Sequence, residues 1–125
     1  MADTSKIRTY SPPPGGGTIT PVTFREAFGF CVMRRILITF PPGCGGVVGA
    51  AVMAANSSAY PSDPAVYYLF DDYTYPIEVT NQIQTGDWAV ICYNAGFLPH
   101  NLQVVYEYDY ISPSTSSVNA IPVSL

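Results

Sequence analysis

Charged side chains are scarce in this sequence of 125 residues. Asp, Glu, Lys and Arg together make up 11% of it, whereas soluble domains average about 25%. A surface with so few charges is covered by uncharged polar side chains, or part of it is covered by a partner. The net charge is −4, and the five basic residues form no stripe. Nucleic-acid binding is therefore not expected, because phosphate recognition needs clustered Lys and Arg.

Signals for membrane targeting are also missing from the sequence. Residues 1–6 contain no apolar core of a secretory signal. The longest run of small apolar residues, 47–55, is too short to span a bilayer, which takes about 20 residues in a helix. We therefore expect no membrane contact and synthesis in a cytoplasm.

Cysteine and histidine are too few to indicate an enzyme or a disulfide framework. Cys31, Cys44 and Cys92 are an odd number without the paired spacing of metal sites, and we interpret them as reduced thiols. A bridge between Cys31 and Cys44 stays as the alternative. The single histidine, His100, lies in a predicted turn, and no nucleophile elbow accompanies it. We expect a loop histidine bonded to the backbone and no catalytic activity.

Paired carboxylates offer only a weak case for a metal. Asp71 with Asp72, and Glu107 with Asp109, supply oxygen ligands of the kind that Ca²⁺ prefers. However, no Asp-x-Asp-x-Asp loop is present, and neighbours along a strand point to opposite faces. A solvated turn and a solvated strand face are expected, so no metal and no cofactor is predicted.

What the sequence does contain favours strands. Aromatic residues make up 14%, and ten Tyr, twelve Pro and ten Gly are spread along the chain. This composition is typical of short strands joined by turns. The fold class that we predict is all-β: an antiparallel β-sandwich, with the jelly roll as its expected type. About seven strands are expected, and the principal ones span residues 28–40, 47–54, 66–70, 75–80, 87–94 and 102–111.

Three regions follow from the composition. Residues 1–23 form a predicted N-terminal arm, in which three prolines make a stiff spacer and Gly15, Gly16 and Gly17 a flexible joint. Residues 24–111 form the β-sandwich domain, and residues 112–125 form a C-terminal arm. Thr23 and Glu26 match a capping box and predict a single helical turn where the domain begins. Residues 81–86 are predicted as a polar loop.

Some predicted strands carry apolar residues on both faces. In residues 28–40 a period of two places Phe30, Ile36 and Phe40 on one face, and Met33 and Leu37 on the other. A solitary sandwich has a polar outer face, so either the arms or another subunit cover these strands. Our hypothesis is that the arms add strands to neighbouring subunits. The predicted partner-binding residues are Tyr10, Pro12, Pro13, Pro14, Met33, Leu37 and Tyr68.

Four stretches of the body resemble small virion structural proteins of tailed bacteriophages. They are residues 35–44, Tyr93-Asn94, 98–104 and 106–110, and the likeness covers about residues 30–111. The resemblance implies a capsid decoration or cement protein that binds the major capsid protein and its own copies, in a virion assembled after synthesis in the host cytoplasm. The alternative is a tail or fibre component, or a carbohydrate-binding module. That alternative needs an exposed aromatic platform built from Tyr67, Tyr68, Tyr73, Tyr75 and Trp88.

Overall fold

A computed structural model describes residues 4–54, 59–62 and 66–110, and only the backbone of residues 80–85. Within this part of the chain there is no helix, and hence none that could cross a membrane. One six-stranded antiparallel sheet is formed, in the order β1-β6-β2-β5-β3-β4. The all-β antiparallel prediction is confirmed. The strands are β1 Thr4–Tyr10, β2 Val22–Phe40, β3 Val48–Met53, β4 Ala59–Tyr60, β5 Tyr73–Asn94 and β6 Leu102–Tyr110.

Two long strands organise the sheet. β2 pairs with β5 along nearly its whole length, from Val22 opposite Cys92 to Phe40 opposite Tyr73. β6 adds to the C-terminal half of β2, and β1 adds to β6. β3 adds to the C-terminal end of β5. The predicted polar loop at residues 81–86 is therefore wrong, because these residues belong to the continuous strand β5.

The pairing of β2 shifts register twice, and after each shift the residues of β2 that face the core alternate in the opposite phase. The shifts lie between Phe28 and Cys31 and between Met33 and Arg35. An extra residue in β2, relative to β5 at the first shift and relative to β6 at the second, changes the inward-facing residues from even to odd numbers and back. Phe28, Cys31, Met33 and Ile36 all point inward as a result. The strict period of two predicted for this strand is wrong: Met33 is fully buried and Phe30 is 39% exposed.

The core collects side chains from β2, β3, β5 and β6. Strand β6, predicted at residues 102–111, alternates between faces, with Leu102, Val104 and Tyr106 wholly buried. Trp88 and Val90, in the segment of β5 predicted as a strand at residues 87–94, are also wholly buried. Residues 66–70, by contrast, form no strand: their sheet pairing is a single bridge between Ala50 and Tyr68.

The described part of the N-terminal region lies on the chain's own sheet. Tyr10 at the end of β1 is buried, stacks on Phe24 with ring centroids 4.8 Å apart, and lies with its hydroxyl 3.1 Å from that of Tyr106. Glu26 lies in β2 and accepts from Lys6 and Arg8, so the predicted helical turn is wrong. The predicted arm of residues 1–23 thus contains an intramolecular strand. Residues 112–125 lie outside the described residues.

Candidate functional site

The loop after β5 exposes two adjacent large apolar side chains. Phe97 is 81% exposed and Leu98 is 69% exposed, the highest values among the large apolar residues that the structure describes. Burying such a side chain is worth about 1.5–3 kcal/mol, so leaving two of them in water forgoes a comparable gain for each. Exposed apolar residues next to each other are typical of a surface that contacts a partner.

Asn94 holds this loop in place. Its side chain is buried, with Oδ1 accepting the Gly96 N–H at 3.0 Å and Nδ2 donating to the Leu98 carbonyl at 2.8 Å. Its own carbonyl accepts the Gly15 N–H at 2.7 Å. A buried amide with both ends bonded fixes the backbone around it, because breaking either bond leaves a desolvated polar group. The loop is therefore tied to the rigid end of β5.

The N-terminal glycines donate backbone hydrogen bonds to the same loop. The Gly16 N–H donates to the Gly96 carbonyl at 2.9 Å, and the Gly17 N–H donates to the Ala95 carbonyl at 2.6 Å. Gly16 and Gly17 have φ values of 59° and 95°, which glycine adopts without strain. A Cβ at Gly16 would lie 3.5 Å from the Phe97 ring. The predicted flexible joint is therefore a bonded turn, and Phe97 extends beside it.

The segment immediately before β3 is also hydrogen-bonded to the loop after β5. The Ala95 N–H donates to the Val47 carbonyl at 2.9 Å, immediately before β3. Pro14 forms a parallel bridge with Asn94, and Pro13 and Pro14 are both exposed. We call the surface formed by Pro13, Pro14, Phe97 and Leu98 the loop platform. Its four apolar residues lie near the C-terminal end of β5, on two segments that backbone hydrogen bonds tie to each other and to Val47.

The predicted partner-binding residues divide into buried and accessible positions. Tyr10, Pro12 and Met33 are buried, so their side chains serve the chain's own interior. Pro13 and Pro14 belong to the loop platform. Leu37 is half-buried on β2. Tyr68 is also half-buried and packs on Tyr75 at 4.5 Å, and burial raises its pKa to about 12. These seven residues therefore do not form one surface.

The carboxylates considered for a metal are engaged by other groups. Glu107 accepts from Arg35 at 2.9 Å and Asp109 accepts from Arg34 at 2.7 Å. Asp71 accepts the Gly45 N–H at 3.1 Å, and this bond, together with others from the same turn, holds the Asp71 pKa below its usual value. In the described ranges no three His, Cys, Asp or Glu side chains come together as a metal site.

Of the five aromatic residues predicted for a sugar-stacking platform, Tyr73 is 49% exposed, Tyr67, Tyr68 and Tyr75 are half-buried, and Trp88 is inaccessible. Trp88 is fully buried beneath the sheet. Tyr67 packs edge-on against Tyr93 at 5.1 Å, and Tyr75 stacks on Phe70 at 5.1 Å. The predicted platform containing Trp88 is therefore wrong, because its largest ring is inaccessible.

All three cysteines are free and buried. Burial raises the pKa of Cys92 to about 12, and it raises the pKa values of Cys31 and Cys44 as well. Protonated, enclosed thiols are poor nucleophiles and poor metal ligands. Their side chains act as small apolar core residues.

Sequence reasoning missed Phe97 and Leu98, since a Gly-Phe-Leu-Pro turn carries no periodic signal. The exposure of the pair depends on Asn94 and on the glycine turn, which are brought together only by the fold. Comparison of the chain with protein-family models and with curated proteins finds no match.

Proposed function

We propose that this chain is a structural protein that binds other proteins through the loop platform. The observation that carries the proposal is the exposure of Phe97 and Leu98 on a loop that Asn94 and the N-terminal glycines hold rigid. A preformed apolar loop loses little conformational freedom on binding, so most of the burial free energy becomes affinity. An enzymatic role finds no comparable support among the described residues.

We further propose that the protein belongs to a virion, as a capsid decoration or cement protein that binds the major capsid protein and its own copies. The support is the resemblance of residues 30–111 to small virion proteins of tailed bacteriophages. Many identical weak contacts, repeated over a particle, give a large total avidity.

We also propose that the sheet folds into a β-sandwich. The N-terminal half of β2 contacts β6 and β1 through side chains, with the Phe28 ring 5.1 Å from Tyr106 and Tyr10 stacked on Phe24. Bulges bend a strand, and the bulges in β2 would fold its two halves over one core as a sandwich. A jelly roll has about eight strands in two sheets. The described strands form one hydrogen-bonded sheet, so the sandwich that we propose would be this sheet folded over on itself.

Mass spectrometry of purified virions, made from the genome that encodes the chain, tests the proposed role. We expect the protein at high copy number in wild-type particles. In the double variant Phe97→Ser/Leu98→Ser its incorporation should fall at least about tenfold, since tenfold corresponds to about 1.4 kcal/mol. Ile7→Ser, which alters an exposed apolar residue on β1, is the matched control and should incorporate normally. Absence of the protein from wild-type virions would refute the role.

A further inference from the structure

In the described ranges, the outer edge of β3 is covered by two short contacts. β3 pairs along its whole length with β5, and on its other side it pairs with β4 at Val52 and Met53. Closer to the start of β3, the Ala50 N–H donates to the Tyr68 carbonyl at 3.0 Å, and the Tyr68 N–H donates to the Ala50 carbonyl at 2.8 Å. An uncovered strand edge is a template for pairing with another chain. Tyr68 therefore covers β3 at a position that β4 does not reach.

A short segment, residues 68–72, begins at this contact, and we call it the strap. Its other end is hydrogen-bonded to the turn that follows β2. The Asp72 N–H donates to the Pro41 carbonyl at 3.3 Å, and the Cys44 thiol donates to the Phe70 carbonyl at 3.1 Å. The strap thus joins the outer edge of β3 to the connection between β2 and β3.

Asp71 of the strap places its carboxylate against the turn Gly43–Gly46. Its Oδ1 accepts the Gly45 N–H at 3.1 Å, and this bond, with contributions from the backbone of Gly43 and Cys44, holds the Asp71 pKa below its usual value. The three glycines of the turn have φ values between 53° and 86°. Successive backbone N–H groups in such turns point into a concavity that binds anions. The carboxylate therefore fills an anion site that the chain itself provides.

We propose that the strap covers the edge of β3 as a unit that opens without unfolding the sheet, and that the Asp71 carboxylate keeps it closed. The strap pairs with β3 through a single bridge, and Leu69, Asp71 and Asp72 are exposed. Opening it therefore breaks few contacts, whereas β6 is paired on both sides. Segments with few buried contacts open at a lower free energy than the core. Opening leaves the N–H and C=O of Ala50 unpaired, which exposes β3 to strand addition by another chain.

Amide hydrogen exchange, followed by NMR on the whole protein, tests this arrangement. In the wild type, the amides of Ala50 and Tyr68 should exchange faster than the Ile36 amide, which lies in β2 between β5 and β6. Asp71→Asn keeps the size of the side chain but removes the charge that the turn binds. Hydrogen bonds to an ionised group are about twice as strong as neutral ones. Protection of the Ala50 and Tyr68 amides should therefore fall about tenfold, which corresponds to about 1.4 kcal/mol.

Asp72→Asn is the matched control, since it removes the same charge from the next residue, and Asn also adopts the φ of 50° found there. Equal protection of Ala50 in the two variants would refute the role of Asp71, and an equal loss of protection at Ile36 would refute opening of the strap alone. Sedimentation velocity tests the covering of the edge: Asp71→Asn should self-associate more than Asp72→Asn and the wild type. Faster exchange without stronger association would overturn that part. Each of these results is independent of the proposed virion role.

Discussion

Asn94 is the residue on which the shape of the loop platform depends. Asn94→Ala removes the bonds to the Gly96 N–H and the Leu98 carbonyl. Leaving buried polar groups unpaired costs about 1–3 kcal/mol each, so we expect a loss of stability of about this size. Urea denaturation should show a lower midpoint, and proteolysis near residue 97 should accelerate. The control Asn101→Ala, at an exposed position, should change the midpoint little. An unchanged midpoint for Asn94→Ala would contradict the role that we assign to it.

Glu26 makes the attachment of β1 dependent on pH. Burial raises its pKa, but hydrogen bonds from Arg8 and Lys6 outweigh burial and lower the pKa overall. A lowered folded-state pKa means that this stabilisation is present above the unfolded value of about 4.3 and is lost as pH falls through the folded value. Thermal melting between about pH 7 and about pH 3 should therefore show a steeper loss of stability for the wild type than for Glu26→Gln.

The difference between the two proteins isolates Glu26 from other carboxylates, including Asp71, whose pKa is also lowered. Identical melting curves below pH 5 would mean that the ion pairs of Glu26 with Lys6 and Arg8 contribute nothing to holding β1.

Among the elements, β2 departs furthest from the pattern of its own sequence. A period of two places Phe30 in the core and Met33 outside, whereas the two bulges place Met33 inside and Phe30 at the surface. Met33→Ala should therefore cost about 2–5 kcal/mol. Phe30→Ala should cost less, since most surface substitutions lie within about 0.5 kcal/mol. Chemical denaturation of both variants measures the difference, and the reverse order would contradict the bulged register.

Elements without bulges were predictable, and those shaped by distant pairing were not. The alternation of β6 and the apolar run of β3 follow from local sequence, because neither strand carries an extra residue: β1 pairs with β6 and β3 with β5 in continuous registers, and the shift between β2 and β6 adds its residue to β2. The bulges of β2 exist only in relation to β5 and β6, which lie far along the chain. The polar residues 81–86 form strand for the same reason: pairing with β2 overrides their loop-like composition.

At the scale of the whole molecule, the ion pairs of this weakly charged chain are concentrated on four strands of the sheet. The ion-paired residues that the structure describes lie on β1, β2, β5 and β6, while the four residues of the loop platform are uncharged. The sequence predicted that a partner covers part of the surface and assigned that part to Tyr10, Met33, Leu37, Tyr68 and Pro12–Pro14, of which Pro13 and Pro14 belong to the loop platform. The loop platform depends on Gly15–Gly17, Val47 and Asn94 meeting in space, which no local pattern encodes.

If the protein is a virion component as we propose, a cryo-EM reconstruction of that virion tests the loop platform as the contact surface most directly. We expect density for this protein with Phe97 and Leu98 buried against a neighbouring protein, and with the ion-paired strands β1 and β6 facing solvent. A reconstruction in which Phe97 and Leu98 point into solvent, while another face of the sheet forms every contact, would contradict the assignment of the loop platform.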